Sequence, residues 1–489
     1  MRSSTAVDVD VAPARAPRRR LAFLLGPAFV AAIAYVDPGN VAANLTAGAR
    51  YGYLLLWVLV VANAMAVLVQ YQSAKLGLVT GQSLPGLLGQ RLRRGPRLAF
   101  WAQAELVAAA TDIAEVVGGA IALNLLFGLP LPLGGLIVGI VSLALLLVQN
   151  RYGQSRFELV IVGLLAIISV GFLAGLFVVP PDARGVLSGL VPRFDGPGSV
   201  LLAASMLGAT VMPHAIYVHS ALARDRHGSA PTDSALSSSV SAGSSSSLST
   251  GSSSSVATAL SPSPSSTRSP LGALLPLLSR SSVPSGSPEV ELPARGAPSV
   301  GAEVRYDIPR LLRATRWDVG FALAIAGVVN IGLLLLAASG LRGAAGTDSI
   351  PGAYDAIVAA LGVGIGIAFA IGLLASGLAS TSVGAYAGAT IMEGLLRRRV
   401  PLVLRRSVTL IPALALLAFG ADPTWTLVIS QVILSFGIPF AVIPLVRLTR
   451  SRAVMGVYRN GLRLHATLLL VVALVVTLNL TLIVLLALG

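Results

Sequence analysis

The sequence predicts an all-α protein that crosses a membrane many times, and three observations carry this prediction. Of the 489 residues, 55% are hydrophobic and only 11% are charged, which is too little charge to cover a soluble protein of this length. Apolar runs of roughly twenty residues, the length that spans a bilayer as a helix, recur along the chain. Two of these runs are interrupted by a proline beside polar residues, a pattern typical of transporters.

The apolar runs predict eleven transmembrane helices. They lie near residues 21–45, 53–76, 98–124, 130–149, 157–179, 199–222, 317–337, 363–394, 405–420, 425–446 and 465–487. Residues 1–20 form a tail rich in Ala, Pro and Arg, and residues from about 227 to 301 form a Ser-rich insertion. Such an insertion cannot bury enough apolar surface to order itself, so we expect a disordered cytoplasmic spacer, with a regulatory phosphorylation site as the alternative.

The positive charges predict the orientation of the chain. With the N-terminus inside, 31 of the 35 Lys and Arg residues fall in or beside cytoplasmic segments, and the exceptions are Arg50, Arg184, Arg193 and Arg342. We therefore expect a cytoplasmic N-terminus and an extracytoplasmic C-terminus. The formal charge of +15 reflects this topology, so we expect a lipid bilayer and no nucleic acid as partner. An almost complete preference for Arg over Lys indicates a GC-rich genome and a bacterial plasma membrane.

The N-terminal tail admits a second interpretation. The run from Arg18 to Arg20 precedes an apolar segment and the small triplet Ala32-Ile33-Ala34, as in a cleavable signal peptide. Cleavage after this triplet would remove half of the first predicted span. We therefore interpret the arginines as a cytoplasmic anchor.

The first predicted span is interrupted over Ala34–Asn40 (AYVDPGN). Pro38 leaves backbone groups without helical partners, and a carboxylate such as Asp37 costs about 2.5–3.5 kcal/mol at mid-membrane. The sixth span has a similar break over Gly208–His214 (GATVMPH). Paired broken helices in the two halves of a chain predict the central site of a transporter, here an ion site.

Three carboxylates of the third span, Glu105, Asp112 and Glu115, share one face of a helix. Three acids on one stripe inside a membrane predict a proton relay, whereas a single acid would be a local hydrogen-bonding group. Arg405 and Arg406 begin the ninth span. They are either membrane anchors or ion-pair partners of this stripe, and the sequence leaves both interpretations open.

Two further pairs of polar residues lie in predicted spans. His214 and His219 are five residues apart, about 140° around a helix, so we expect them to have different neighbours. A buried structural histidine is the alternative to a functional role for each. Gln431 and Ser435 form a polar patch on the tenth span, which fits either interhelical hydrogen bonding or contact with substrate.

These motifs resemble the signatures of the Nramp family of divalent transition-metal transporters. The resemblance rests on Asp37–Asn40 (DPGN), Met212–His214 (MPH), Thr111–Glu115 (TDIAE) and the segment from Ser430 to Pro439. It covers nearly the whole chain outside the N-terminal tail and the Ser-rich insertion, which bacterial relatives generally lack.

The resemblance implies a LeuT-like 5+5 inverted repeat with helices one and six broken. Residues 21–179 would form the first repeat and residues 199–446 the second, with residues 465–487 as an appended eleventh helix. The implied activity is proton-coupled import of Mn²⁺, Fe²⁺ and similar ions by alternating access. The metal would be transported substrate, so we expect no cofactor, no enzymatic activity and a monomeric protein.

The resemblance also implies roles residue by residue. The metal ligands would be the Asp37 carboxylate, the Asn40 amide oxygen, the Met212 sulfur and the Ala209 carbonyl, joined in some conformations by the Ala34 carbonyl and Gln431. The proton route would comprise Glu105, Asp112, Glu115, His214 and His219, with Arg405 and Arg406 as partners. Asn330 of the seventh span is a further candidate for lining the site.

The types of donor agree with a transition metal. Asp37 and Asn40 offer hard oxygen, which alone suits Mg²⁺ or Ca²⁺, whereas the thioether of Met212 is a soft donor that favours Mn²⁺ and Fe²⁺. In isolation Met212 would be a core-filling residue. Cysteine is absent, which excludes thiolate ligands and disulfides.

Three alternatives remain at this point. An Nramp-related Mg²⁺ transporter should lack the methionine, and a Na⁺-coupled transporter of an organic substrate needs a substrate-sized polar pocket at the breaks. An intramembrane metalloenzyme needs a closed set of His and carboxylate ligands. The chain has four His and no His-Glu-x-x-His pattern, which argues against the enzyme.

Overall fold

The protein is represented by a computed structural model that describes residues 27–152, 154–227, 308–343, 346–347, 349–398 and 400–488. The signal-like tail and the Ser-rich insertion beyond residue 227 lie outside the described residues. The described part consists of helices and their connections, with no β-strand among its residues.

The helices of the first half follow one another closely. They are α1 (Pro27–Ala34), α2 (Pro38–Tyr51), α3 (Leu56–Thr80), α4 (Leu84–Arg91), α5 (Arg94–Phe127), α6 (Leu131–Tyr152), α7 (Gln154–Leu173) and α8 (Ala183–Gly189). A short 3₁₀ turn, Ala174–Phe177, extends α7.

The second half repeats this alternation of long and short helices. Its helices are α9 (Gly196–Thr210), α10 (Pro213–His227), α11 (Ile308–Leu336), α12 (Ile350–Leu361), α13 (Val363–Ile391), α14 (Leu402–Ala418), α15 (Pro423–Arg450), α16 (Arg452–Met455) and α17 (Leu462–Ala487). Turns of π-helix, Ala337–Leu341 and Met392–Leu396, extend α11 and α13.

Each of the eleven predicted spans coincides with helix in the described residues. Seven helical stretches there are long and apolar enough to cross a membrane, the pair α9 and α10 counting as one. The other four predicted spans correspond to the broken pair α1 and α2, to the shorter apolar parts of α6 and α7, and to α14. The all-helical membrane architecture is thus confirmed, and the number eleven stays a prediction.

Proline chemistry explains both breaks. Asp37 adopts an extended conformation (φ −80°, ψ 169°), and its carboxylate accepts a hydrogen bond from the Asn40 N–H at the start of α2. Pro38 occupies the first turn of α2, where its missing N–H costs nothing. At the second break, Val211 leaves the helical region (φ −110°, ψ 60°) and Pro213 begins α10.

Two short helices that the hydropathy pattern did not predict occupy corresponding places in the two halves. Ser83-Leu84-Pro85-Gly86 begins α4 after the second span, and Ser349-Ile350-Pro351-Gly352 begins α12 after the seventh. In each, the serine Oγ accepts from the glycine N–H three residues on, at 3.2 Å in α4 and 3.1 Å in α12. The repeated Ser-x-Pro-Gly motif is a capping signal that could have located both helices.

The broken helices form the centre of the bundle. Residues 38–49 of α2 are all buried, as are residues 202–210 of α9. They pack against α3, α5, α11 and α15. By contrast α17 exposes Leu470 and Val484 on its outer face, as a helix in contact with lipid does.

Candidate functional site

The two breaks meet at the side chain of Asn40. Its amide Nδ2 donates to Asp37 Oδ1 and to the Ala209 carbonyl oxygen, at 2.9 Å in each case. Asp37 and Asn40 are fully buried, as is Ala209. An oxygen from each broken helix therefore points at the same donor, as it would at a bound cation.

Backbone geometry explains why these carbonyls are available. Ala34 stands four residues before Pro38, and Ala209 stands four residues before Pro213. A proline has no N–H, so neither carbonyl can receive the usual helical hydrogen bond. Two oxygen acceptors are thereby freed at equivalent positions of the two breaks.

Gln431 of α15 adds a third element to the site. Its Nε2 lies 3.4 Å from Asp37 Oδ2, and its side chain is fully buried. Gln431 Oε1 and Asn40 Oδ1 are both buried acceptors with no hydrogen-bond partner among the described residues. Because a buried polar atom left unpaired costs about 1–3 kcal/mol, these two oxygens are fitted to receive a cation or water.

Close approach of α9 to α15 fixes the position of Gln431. A methyl group built on Gly208 would lie 1.9 Å from the Gln431 carbonyl oxygen. A methyl group on Gly39 would lie 1.8 Å from Gln431 Nε2. Gly208 therefore lets α9 approach the backbone of α15, and Gly39 leaves room for the Gln431 side chain against α2.

Met212 lies in the second break, directly before Pro213. Its side chain is fully buried, and its carbonyl accepts a hydrogen bond from the Ile216 N–H at 3.2 Å. The structure thus places the thioether inside the protein within the same break as Ala209. No three His, Cys, Asp or Glu side chains of the described residues converge on a metal-binding geometry, so the candidate site has Asp37 as its carboxylate donor, with amide, carbonyl and thioether groups around it.

The carboxylate stripe of α5 faces the two arginines of α14. Arg405 Nε lies 3.1 Å from Glu105 Oε1, and Arg406 Nη1 lies 2.8 Å from Asp112 Oδ1. Arg405 Nη2 is also 3.9 Å from Asp112 Oδ2. Both arginines are buried, so of the two interpretations that the sequence left open, the geometry matches ion-pair partners.

Glu115 completes this network at its deep end. Arg406 Nη1 lies 3.6 Å from Glu115 Oε2. A methyl group on Gly384 would lie 2.9 Å from Glu115 Oε1 and 3.6 Å from Asp112 Oδ1, so the two carboxylates face one point. Several carboxylate oxygens here have no hydrogen-bond partner among the described residues: Glu105 Oε2, Asp112 Oδ2 and both oxygens of Glu115.

The two histidines of α10 have different neighbours. His214 Nδ1 lies 3.3 Å from Thr111 Oγ1, next to Asp112. His219 Nδ1 lies 2.8 Å from Gln70 Oε1 on α3. The structure therefore brings His214 beside the carboxylate stripe and places His219 against another helix.

Polar side chains of neighbouring helices donate hydrogen bonds to residues of the first break. Asn330 Nδ2 donates to the Tyr35 carbonyl oxygen at 2.6 Å, and Ser376 Oγ donates to the Val36 carbonyl oxygen at 2.5 Å. Gln70 Nε2 donates to the Tyr35 hydroxyl. Gln70 and Ser376 were not among the predicted site residues, although a polar residue within a predicted span is a signal that could have found them.

These features define a helical membrane protein with the paired broken helices of secondary transporters. The sequence profile of the Nramp family, described as natural resistance-associated macrophage protein-like, matches residues 28–259 and 300–485. The chain belongs to the Nramp family.

Relatives and solved structures agree with this assignment. The divalent metal cation transporter MntH of Mycobacterium tuberculosis is 55% identical over 434 residues, which are 89% of this chain and 85% of the relative. MntH of Deinococcus radiodurans is 37% identical, with 90% and 84% covered. A manganese transporter of Eremococcus coleocola superposes with a TM-score of 0.70 at 29% identity, over 94% of this chain and 86% of that one.

A more distant likeness concerns the fold alone. MhsT, whose solved structure is a complex with L-phenylalanine, superposes with a TM-score of 0.54 at 14% identity, over 96% of this chain and 98% of that one. The LeuT-like arrangement predicted from the sequence is therefore confirmed.

Proposed function

We propose that this protein imports divalent transition-metal ions, Mn²⁺ and Fe²⁺ among them, together with protons across the bacterial plasma membrane. The observation that carries the proposal is the convergence of Asp37 Oδ1 and the Ala209 carbonyl on one point between the two broken helices. Oxygens from both repeats can there hold one ion at mid-membrane.

The donor set favours transition metals. The ligands would be the Asp37 carboxylate, the Asn40 and Gln431 amide oxygens, the Ala209 and Ala34 carbonyls and the Met212 sulfur. For Asn40 and Gln431 to ligate through oxygen, each amide must turn its unpaired Oδ1 or Oε1 towards the ion. A thioether gains little from Mg²⁺ or Ca²⁺, so Met212 supplies the preference for softer ions.

The charge of the site suits transport. A single carboxylate leaves net positive charge on a bound divalent ion, so binding is moderate and release is feasible. The metal would bind between the two breaks when α1 and α2 move towards α9 and α10. It would be released when these helices move apart on the opposite side of the membrane. Alternating access then exposes one site to each face in turn.

The stripe of α5 is the proposed proton route. It contacts both broken helices, since Thr111 meets His214 of α10 at 3.3 Å and a methyl group on Gly118 would lie 2.0 Å from Pro38 Cβ of α2. Metal at Asp37 would therefore act at close range on Glu115 and Asp112, whose protonation is sensitive to nearby charge. Glu105 is the least buried of the three acids, so we place the exit of the route there.

The orientation follows from the loop charges, with the N-terminus in the cytoplasm and the C-terminus outside. In this orientation α5 begins at the cytoplasmic side, so Glu105 lies closer to the cytoplasm than Glu115 and protons leave inwards. The positive charges of Arg405 and Arg406 offset the negative charge of the three carboxylates when these have lost their protons. We further propose that the protein works as a monomer without a cofactor and is not an enzyme.

Selectivity of uptake tests the proposal. Purified protein in liposomes is offered Mn²⁺, Mg²⁺ and Ca²⁺ in parallel, and uptake of each ion is followed. We expect Mn²⁺ to enter and Mg²⁺ and Ca²⁺ to enter poorly. Equal entry of Mg²⁺ would favour an Nramp-related Mg²⁺ transporter, and exclusion of all three ions from competent vesicles would contradict metal transport.

A further inference from the structure

The tenth span contains a carbonyl that its own helix cannot satisfy. Pro439 lies inside α15, so the carbonyl of Ser435, four residues earlier, receives no helical hydrogen bond. Ser435 is fully buried, and an unpaired buried carbonyl is costly. The chain must supply a donor to this point from another element.

Asn479 of α17 supplies that donor. Its Nδ2 donates to the Ser435 carbonyl oxygen at 2.9 Å, and its Oδ1 accepts from Ser435 Oγ at 2.8 Å. Asn479 is 5% exposed on a helix that is otherwise almost wholly apolar and largely faces outwards. A buried amide on a lipid-facing span is expensive unless it is paired, and here both ends of the amide are paired.

This pair lies one helical turn from the candidate metal site. Ser435 and Gln431 share a face of α15 because they are four residues apart. A methyl group on Gly208 would lie 1.9 Å from the Gln431 carbonyl oxygen and 2.7 Å from the Ser435 backbone nitrogen. The turn of α15 from Gln431 to Ser435 therefore packs against Gly208 of α9 on one side and against Asn479 of α17 on the other.

We propose that Asn479 is a positioning residue for the metal site. By satisfying the carbonyl that Pro439 frees, it holds the turn of α15 that aims Gln431 at Asp37. The helix α17, which the sequence predicts to lie outside both repeats, would thus take part in metal binding through Gln431. This inference rests on the proposed function of the site.

The test measures the Mn²⁺ concentration dependence of uptake in proteoliposomes. We expect Asn479→Leu to raise the KM for Mn²⁺ about tenfold while changing the maximal rate less than about twofold, because Gln431 is misplaced while the transport cycle is kept. Thr477→Val, on the same helix and exposed, is the matched control and should leave the KM unchanged. If Asn479→Leu does not fold, Asn479→Ser removes the same donor with a smaller side chain and carries the same expectation.

A second set of variants separates positioning from general stability. In a Gln431→Ala background, Asn479→Leu should raise the KM by less than about twofold further, because the group that it positions is gone. The same tenfold increase in both backgrounds, or no increase in either, would overturn the inference. Absence of Mn²⁺ uptake by the unmodified protein would instead contradict the proposed function, so the two failures are distinguishable.

Discussion

Arg406 Nη1 lies 2.8 Å from Asp112 Oδ1 and 3.6 Å from Glu115 Oε2, so one guanidinium on α14 joins two of the three carboxylates of α5. Its other nitrogens reach Ser142 Oγ at 3.3 Å and Thr381 Oγ1 at 3.4 Å. This arginine therefore links four helices around a buried acidic stripe. A buried charge needs such pairing, and removing one partner leaves the other uncompensated.

Asp112→Asn should weaken the coupling of protons to metal more than it weakens metal binding. The substitution keeps the shape of the side chain and removes the acid that lies between Glu105 and Glu115 on the proposed route. We expect Mn²⁺ uptake to persist within about tenfold of normal, with much less acidification per ion. Loss of Mn²⁺ affinity with intact coupling would contradict the relay.

Asp37→Asn should abolish metal uptake. Asp37 is the one carboxylate of the proposed ligand set, and its replacement by an amide of the same size removes the only side chain of the set that can carry a negative charge. We expect uptake of Mn²⁺ to fall at least about a hundredfold, measured in vesicles that contain equal amounts of folded protein. Asn40 N–H can still be capped by the amide oxygen, so the start of α2 should survive. Normal uptake by this variant would exclude the central site.

Met212→Ala should relax discrimination against Mg²⁺ and Ca²⁺. The substitution removes the proposed soft donor and keeps every oxygen ligand. Competition of Mg²⁺ or Ca²⁺ with Mn²⁺ uptake measures the change. Truncation of a buried methionine costs about 2–5 kcal/mol of stability by itself, so a matched control is needed.

Met206→Ala provides that control. Met206 is also fully buried, on the preceding helix α9, and the substitution leaves a cavity of the same kind. We expect it to lower stability without altering the preference among ions. Equal selectivity in the unmodified protein and in both variants would remove Met212 from the ligand set.

Gly208→Ala should impair transport severely. The new methyl group would meet the Gln431 carbonyl oxygen at 1.9 Å, and this neighbour is backbone and cannot swing away. The helices α9 and α15 must then separate, which pulls Gln431 from Asp37. Gly320→Ala on α11 is the control, because nothing lies within 4 Å of its added methyl group. Uptake by Gly208→Ala equal to that of Gly320→Ala would show that this contact is dispensable.

Deletion of about residues 230–298 should leave transport unchanged. These residues are the Ser-rich insertion, which contains none of the proposed ligands or proton-route residues. Mn²⁺ uptake by the shortened chain, compared at equal protein, measures the effect. A folded but inactive deletion variant would assign the insertion a function.

Hydropathy and proline chemistry predicted much of the fold because both act locally. The apolar runs located the helices, and Pro38 and Pro213 located the breaks, since a missing N–H has the same effect in any structure. The short helices α4 and α12 were missed because a search for spans ignores short helices, although their serine caps were readable. Charges near Arg405 allowed two interpretations, since only the position of α14 beside α5 decides whether an arginine meets lipid headgroups or carboxylates.

The candidate site was only partly predictable, because local sequence signals do not show which helices pack together. Asp37 and the residues of the two breaks stood out because a carboxylate or a proline is conspicuous in an apolar run. Contacts across the bundle were not visible: Asn479 reaches Ser435 across 44 residues, and Ser376 reaches Val36 across 340. Sequence alone shows that such polar residues need partners, and only the packing of the helices shows which ones.

Simultaneous recording of Mn²⁺ entry and internal pH in proteoliposomes tests proton-coupled metal import directly. We expect Mn²⁺ to enter with acidification of the interior, both signals to vanish in Asp37→Asn, and acidification to fall further than Mn²⁺ entry in Asp112→Asn. Mn²⁺ entry with no change of internal pH in the unmodified protein would contradict proton-coupled import.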